Sequence, residues 1–564
     1  MIECVLMDTV QGKRARTAGA ALGAVVALAA IAVDCLADLN GDVRYALGGL
    51  ETAGRGGVSI WDIFVSRPLA YKLFMAALDQ GRMLIVGRSP SNAANLVLRL
   101  ETYVLVIAVI ALLFVGVRRL AGPRAAAGIA GGTGLILLIA PPWHFLEPDW
   151  VGALAAVLTV AAACAPRRRW VGALLAGPAA MLVVAVKAST FPIALIALLV
   201  IFVFDRRRAA WTALSAVLWV AVWYVLTKHY QPWEWTWLSD LANLVHSKPQ
   251  GIHIADLRKL RFAIGDASVL SPVLVVAPAA AVAVVRRETG RRRWVGLAIA
   301  VVAGGLSLAP AYGQAEWFNY HFTSTVVLAA AVWGAAFALC PGFRLPLAAA
   351  TVLVSAVSLV LLSRPADWRL AHAGPVVWAY QLTALALAVA AWFLAGRFSA
   401  GPAWFALPWF AGVVALCVAL LPPVLPTFPY AFSSYDYTIE VGRSSNAALI
   451  DLSKRLGPDT PVLYLTYGTF NYGMGNPTTC RYPSPLWIQR GAVVPRLRSR
   501  PSYADNLRCL TQDQNAKYLI IHNGWFYLQW STRQVRTLLD ERFDCSPAAQ
   551  IPAPAPLTVC PARG

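Results

Sequence analysis

About thirteen stretches of this chain are apolar over the length needed to cross roughly 30 Å of hydrocarbon, and no other sequence feature limits its fold as much. They run approximately 18–37, 100–117, 125–143, 150–165, 170–186, 191–205, 209–227, 269–285, 294–311, 323–340, 345–362, 376–395 and 403–422. In lipid the backbone must satisfy its own hydrogen bonds, so each stretch is expected as a helix. Composition agrees: 58% of residues are hydrophobic and 13% charged, with a mean hydropathy of +0.60, where a soluble domain carries about a quarter charged residues. The expected fold class is a polytopic α-helical membrane protein with about 13 transmembrane helices.

The net charge of +20 does not point to nucleic acid. The cations gather in alternate short loops: Lys13/Arg14/Arg16, Arg118/Arg119/Arg124, Arg167/Arg168/Arg169, Arg206/Arg207/Arg208 and Arg286/Arg287/Arg291/Arg292/Arg293. That is the positive-inside pattern, and it predicts a cytoplasmic N-terminus and, with an odd number of spans, an outer C-terminus. After Arg293 only Arg344 and Arg397 mark the inner side. The first run resembles a signal peptide with Ala30-Ile31-Ala32 as a cleavage site. The later clusters keep their parity only if that run stays as a span, and Asp34 ahead of Cys35 argues against lipoprotein processing.

Four outer segments carry the polar residues. The first, about 38–99, holds Trp61-Asp62-Ile63-Phe64 and Arg67-Pro68 and predicts one or two amphipathic helices lying in the interface. The second is His144-Phe145-Leu146-Glu147-Pro148-Asp149. The third, about 228–268, carries Trp233, Trp235 and Trp237, which suit an interfacial anchor or, alternatively, a stacking surface for a sugar. The fourth spans Tyr312 to Phe322.

After Pro422, Pro423, Pro426 and Pro429 the composition changes. Helices are predicted over 446–456 and 533–543 and strands over 461–466 and 517–522, so residues 423–564 read as a small outer α/β domain and 1–422 as the transmembrane domain. Cys480, Cys509, Cys545 and Cys560 fall in the outer domain and predict two disulfides; of three possible pairings, sequential order is the expectation. The other five cysteines lie mostly in spans and read as small apolar residues. The aromatic residues of this domain (Tyr464, Tyr467, Tyr472, Trp487, Trp525, Tyr527, Trp530) read as core, with a carbohydrate platform as the alternative.

Carboxylates are costly near hydrocarbon, so those at the ends of spans stand out. Asp34, Asp38 and Asp42 follow the first span, and Glu147 and Asp149 sit between the third and fourth, all on the predicted outer face. One such acid has the chemistry to take a proton from a hydroxyl, and others to orient a sugar or hold a divalent ion. Solvated loop ends or helix caps are the plainer reading. Asp34 lies slightly too deep, which favours Asp42 as the base, with Asp38 as the alternative. Lys187, at an outer turn where the positive-inside rule disfavours cations, reads as a snorkelling lysine or a phosphate contact. Arg67 and the Tyr320-His321 pair raise the same alternatives.

With these residues in view, the chain resembles the GT-C superfamily of integral-membrane glycosyltransferases. The likeness lies in an acid after the first span, a long first outer loop, a short acidic second loop and an outer C-terminal α/β domain. It implies a bacterial plasma (inner) membrane protein with a small C-terminal periplasmic domain. Its partners would be a polyprenyl-phosphate-linked sugar donor, a glycan, lipid or protein acceptor and membrane lipids, and no nucleic acid. Asp42, or Asp38, stands where such enzymes place the catalytic acid, and Glu147 and Asp149 occupy the second acidic motif. Lys187, His321, Tyr320 and Arg67 look like the groups that hold the lipid phosphate. Transfer would be inverting. No definite cofactor is implied, and a divalent cation, Mg or Mn, is one that Glu147 and Asp149 have the chemistry to hold. A transporter or flippase for a lipid-linked glycan is the competing class and predicts internal repeats and helices broken at mid-bilayer. A non-enzymatic scaffold or receptor is a third.

Overall fold

The computed structural model describes residues 24–33, 35, 38–87, 92–140, 144–245, 254–314, 316–394, 406–420, 432 and 446–563. Asp34, the prolines at 422–429, Arg397 and the cluster Lys13 to Arg16 lie outside the described residues. The chain divides into two compact units. The first comprises Met1–Ala37, Tyr103–Val220 and Gly251–Gly442; the second comprises Asp38–Thr102, Ala221–Gln250 and Arg443–Gly564.

Among the described residues, seven helices are long and apolar enough to cross a membrane. A pair bent by 92° supplies an eighth, and four shorter apolar helices add Ala24–Val33, Pro148–Cys164, Ala188–Phe204 and Pro408–Leu420. These elements follow the thirteen apolar stretches. The second and third stretches are two helices that meet without a loop at Gly122 (φ 86°), ahead of Pro123, within Asn92–Leu138. The 92° bend joins Ala255–Leu270 to Val273–Val285, so the residues before the eighth stretch are themselves helical and turn sharply into it.

Within the first unit, Pro148–Cys164 packs on Arg169–Val186, and Val273–Val285 packs on Thr323–Leu339 and Ala366–Leu394. Glycines set the closest crossing: a Cβ on Gly132 would lie 2.1 Å from the Ala330 carbonyl, so only glycine lets those two backbones meet. Side chains such as Val217 (66% exposed) and Leu353 (66%) remain uncovered, as expected of a surface solvated by lipid rather than water. Several cations of the basic clusters act as helix caps. Arg208 donates to the Ala163 carbonyl at 2.7 Å and Arg119 to the Ala165 carbonyl at 2.8 Å, where the C-terminal end of a helix dipole favours positive charge.

The second unit is built on a three-stranded sheet. β1 (Val462–Leu465) runs parallel to β2 (Tyr518–His522), which runs antiparallel to β3 (Leu557–Pro561). The register places Tyr464 opposite Ile520 and Ile520 opposite Val559. Both sheet faces are covered. Leu463, Leu465, Leu519 and Ile521 point to one core with Trp487, Tyr503 and Leu539. Val462, Tyr464, Ile520 and Val559 point to another with Leu452, Leu456 and Met474. The period of two explains why β1 is buried along its whole length. The helices found at Ala447–Leu456 and Arg533–Arg542 match expectation. β3 was not read from the sequence, because Pro552, Pro554 and Pro556 lead into it and proline punctuates rather than extends a strand. Disulfides join Cys480 to Cys509 and Cys545 to Cys560, the sequential pairing.

The other two segments are woven into this unit. Phe64 and Trp237 lie in the sheet's core, 4% and 2% exposed. Trp237 therefore does not anchor an interface; its indole N–H donates to Glu234 at 2.9 Å, and Glu234 in turn accepts from the Leu69 amide at 2.7 Å. Two helices fill the first outer loop, Gly41–Arg55 and Leu69–Val86. The first does not lie in an interface, since Val43 and every residue from Tyr45 to Ala53 are buried. It packs against Gly468–Met474, where a Cβ on Gly48 would stand 2.4 Å from the Tyr472 amide and one on Gly468 would stand 2.8 Å from Tyr45 Cα. That close approach seats Tyr467 near the start of the Gly41–Arg55 helix.

Candidate functional site

The candidate site residues fall in two charged clusters, one in each unit. In the second unit Asn40 caps the Gly41–Arg55 helix by accepting from the Asp42 amide at 2.9 Å, which leaves the Asp42 carboxylate in the first turn, where the dipole favours an anion. Arg67 Nη2 donates to Asp42 Oδ2 at 2.7 Å, and the Tyr467 hydroxyl donates to Oδ1. Burial, and then the negative charge of Asp42, hold the Tyr467 hydroxyl well above its ordinary range, so it stays a donor. Tyr45 lies against Tyr467, ring centroids 5.2 Å apart, and the guanidinium groups of Arg67 and Arg490 both bear on it. Side chains of Asp42 and Arg67 are each about one-fifth exposed, 22% and 21%, so the pair is reachable by a ligand. The Asp38 carbonyl accepts from Arg99 at 3.2 Å.

In the first unit Glu147 caps Pro148–Cys164, with Pro148 at the first helical position and Asp149 in the first turn. Lys187 ends Arg169–Val186 in extended conformation, and His321 lies in the 3-10 turn Asn319–Phe322 that leads into Thr323–Leu339. Three helix ends thus supply an anion, a cation and an imidazole. Lys187 Nζ donates to Asp149 Oδ2 at 2.7 Å, His321 Nδ1 is 3.0 Å from the same oxygen, and Lys187 and His321 are 3.2 Å apart. Tyr320 presents its ring to Lys187 at 5.8 Å. Asp149 is 1% exposed whereas Lys187 is 20% exposed, so the ammonium is the accessible member. His144 stands behind them, 3.1 Å from the Thr323 hydroxyl, and burial pushes it down to about 3, leaving a neutral ring. The same elements continue into Pro148–Cys164, Phe191–Phe204 and Thr323–Leu339, whose residues Ala153, Ile193, Ser324 and Val327 line an apolar cavity of about 90 Å³.

Among the described non-glycine residues only Ser66 (φ 54°) and Leu146 (φ 63°) adopt the left-handed region. One immediately precedes Arg67 and the other Glu147. Such residues cost of order 1–3 kcal/mol each and gather where geometry is imposed for function.

Sequence reasoning named Asp42, Glu147, Asp149, Lys187, His321, Tyr320 and Arg67 but not their pairings. Arg67 is held by Asp42, and Lys187 is held by Asp149 rather than snorkelling. Glu147 is fully buried. Tyr467 stood only among residues read as core or platform, because no spacing rule links it to an acid 425 positions away. Among the described residues no group of three or more His, Cys, Asp or Glu side chains is placed to hold a metal ion. Asp149 already has an ammonium at 2.7 Å, so a divalent ion there would set two like charges on one carboxylate.

Helices and sheet together give a polytopic helical membrane fold with a small three-stranded sheet domain. Two solved structures carry the same architecture, both of ArnT from Cupriavidus metallidurans. In the apo state it is 18% identical, with a TM-score of 0.54, over 96% of this chain and 98% of that one. Bound to undecaprenyl phosphate it is 17% identical, with a TM-score of 0.53 and the same coverage. No family model and no curated protein matches this chain.

Proposed function

We propose that this protein is a glycosyltransferase that moves a sugar from a polyprenyl-phosphate donor to a cell-envelope acceptor at the outer face of a bacterial plasma membrane. The observation that carries the reading is a cradle of Lys187, His321 and Tyr320 at the ends of helices that go on to line an apolar cavity. A cation above a greasy slot suits an amphiphile with an anionic head and a hydrocarbon tail. The fold shared with a protein solved with undecaprenyl phosphate supports the same donor class.

In this reading Lys187, with His321 beside it, takes the donor phosphate, and the apolar cavity takes the first part of the tail. Asp42 accepts the proton of the acceptor hydroxyl. The acceptor oxygen bonds to the anomeric carbon as the bond from that carbon to the phosphate oxygen breaks, which inverts the configuration. Negative charge grows on the leaving phosphate, where the Lys187 ammonium stabilises it. Arg67 and the Tyr467 hydroxyl hold the Asp42 carboxylate in one orientation, so that one oxygen is not free to turn away. Asp42→Asn keeps the shape and one of the two acceptor oxygens that Arg67 and Tyr467 use, and removes the base. Sugar release from polyprenyl-phosphate-sugar by the purified variant should fall about 10²- to 10⁴-fold with the melting temperature nearly kept. Turnover within threefold of wild type would reject Asp42 as the base.

A further inference from the structure

The chemistry above leaves unused a run of aromatic rings that starts on the hydrogen-bond partner of Asp42. The Tyr467 ring meets Trp525 edge-on at 5.9 Å, and Trp525 lies nearly parallel to His522, 13° apart with centroids at 6.3 Å. Phe470 closes against His522 at 4.5 Å. Trp525 leaves β2 through a tight turn. Gly524 there has φ +87°, and the amides of Trp525 and Phe526 both return to the His522 carbonyl, at 3.2 and 2.9 Å. Gln489 donates to the Trp525 carbonyl at 3.2 Å, and part of the indole packs on the core of the sheet. The ring is therefore fixed, yet only half-buried, unlike Trp487, Tyr464 and Tyr472, which are buried. Burial lowers the His522 imidazole, which keeps the adjoining surface uncharged.

A fixed, flat, uncharged aromatic surface next to a carboxylate suits one ligand chemistry well. A pyranose offers an apolar face of axial C–H groups, which rest on an aromatic ring, and a rim of hydroxyls for polar partners. We propose that the exposed part of Trp525, flanked by Tyr467 and His522, is the acceptor subsite, and that the acceptor is a glycan whose pyranose ring stacks there and presents a hydroxyl to Asp42. The proposal rests on Asp42 as the base and narrows the acceptor from glycan, lipid or protein to a carbohydrate.

The test uses the full-length protein in detergent, with methyl pyranosides of glucose, mannose, galactose and N-acetylglucosamine as probes, read by saturation-transfer NMR. At least one pyranoside should receive saturation at its ring C–H protons from the wild type. Trp525→Ala should cut that transfer about three- to tenfold, and Trp525→Phe should retain part of it. Trp530→Ala removes a tryptophan that is 51% exposed and outside the ring run, and should leave transfer intact while proving that the signal is local. Near-ultraviolet circular dichroism checks that each variant is folded. No transfer to any pyranoside from the wild type, or equal transfer from folded Trp525→Ala, overturns the subsite. Turnover retained by Asp42→Asn sinks the base instead, and the sugar signals then judge the platform separately.

Discussion

Replacing Lys187 by methionine separates structural from functional charge in the first unit. Asp149 is 1% exposed and its ion pair spans 2.7 Å. At an effective dielectric of about 20 that separation gives a gross attraction of about 6 kcal/mol, most of which offsets the desolvation of the carboxylate. Lys187→Met leaves the carboxylate buried beside His321 without its cation, at a cost of about 3–5 kcal/mol. Adding Asp149→Asn removes the stranded charge, and the double variant should return to within about 1 kcal/mol of wild type. Donor affinity should not return with it. A charge-assisted hydrogen bond to phosphate contributes about 1.5–3 kcal/mol, so polyprenyl-phosphate binding should weaken about 10- to 150-fold in both variants. Stability is read from thermal unfolding in detergent, and affinity from calorimetric titration with farnesyl phosphate. A double variant that binds farnesyl phosphate as tightly as wild type would refute the phosphate role. A Lys187→Met single variant as stable as wild type would refute the argument that Asp149 needs its cation.

Three further outcomes are expected. Burial, opposed by Arg82, pushes Glu51 up to about 7 from an ordinary 4.5, so the folded state binds a proton that the unfolded chain has released. Stability from this group is present below about pH 4.5 and is lost as pH rises through about 7, by up to about 3 kcal/mol. Unfolding measured at pH 5 and pH 8 should show that loss, and Glu51→Gln should flatten it; an unchanged slope in the variant would be inconsistent with this account. Opening the Cys480–Cys509 bridge, which spans 29 residues, with a Cys480→Ser/Cys509→Ser variant should cost about 3–4 kcal/mol on the chain-entropy estimate. Limited proteolysis of the second unit would register it, and wild-type resistance would contradict it. Finally, because Lys187 already occupies Asp149, chelation with EDTA should leave sugar transfer unchanged, and a loss restored by Mg or Mn would overturn the assignment.

How much of this was legible beforehand depended on the range of the interaction involved. Apolar runs announced nearly every membrane helix, because crossing hydrocarbon imposes both a length and a composition on one continuous segment. β1 and β2 were visible for a similar local reason, while β3 was hidden behind three prolines. The Glu147-Pro148-Asp149 helix start follows capping rules that span only a few residues. Pairings were another matter. Nothing along the chain paired Arg67 with Asp42, or told Trp237 from an interfacial anchor, since burial and partner choice depend on segments far away in sequence.

The sequence by itself therefore determined a helical membrane protein, a cysteine-bridged sheet domain and a short roster of polar residues, because hydrophobic length, residue periodicity and capping act locally. Only the tertiary structure decided which charge meets which. Lys187 and His321 share one oxygen of Asp149, His321 across 172 residues, and Asp42 is held between Arg67 and Tyr467. The physical reason is that an ion pair or hydrogen bond is set by angstroms in space, a quantity the order of residues does not carry.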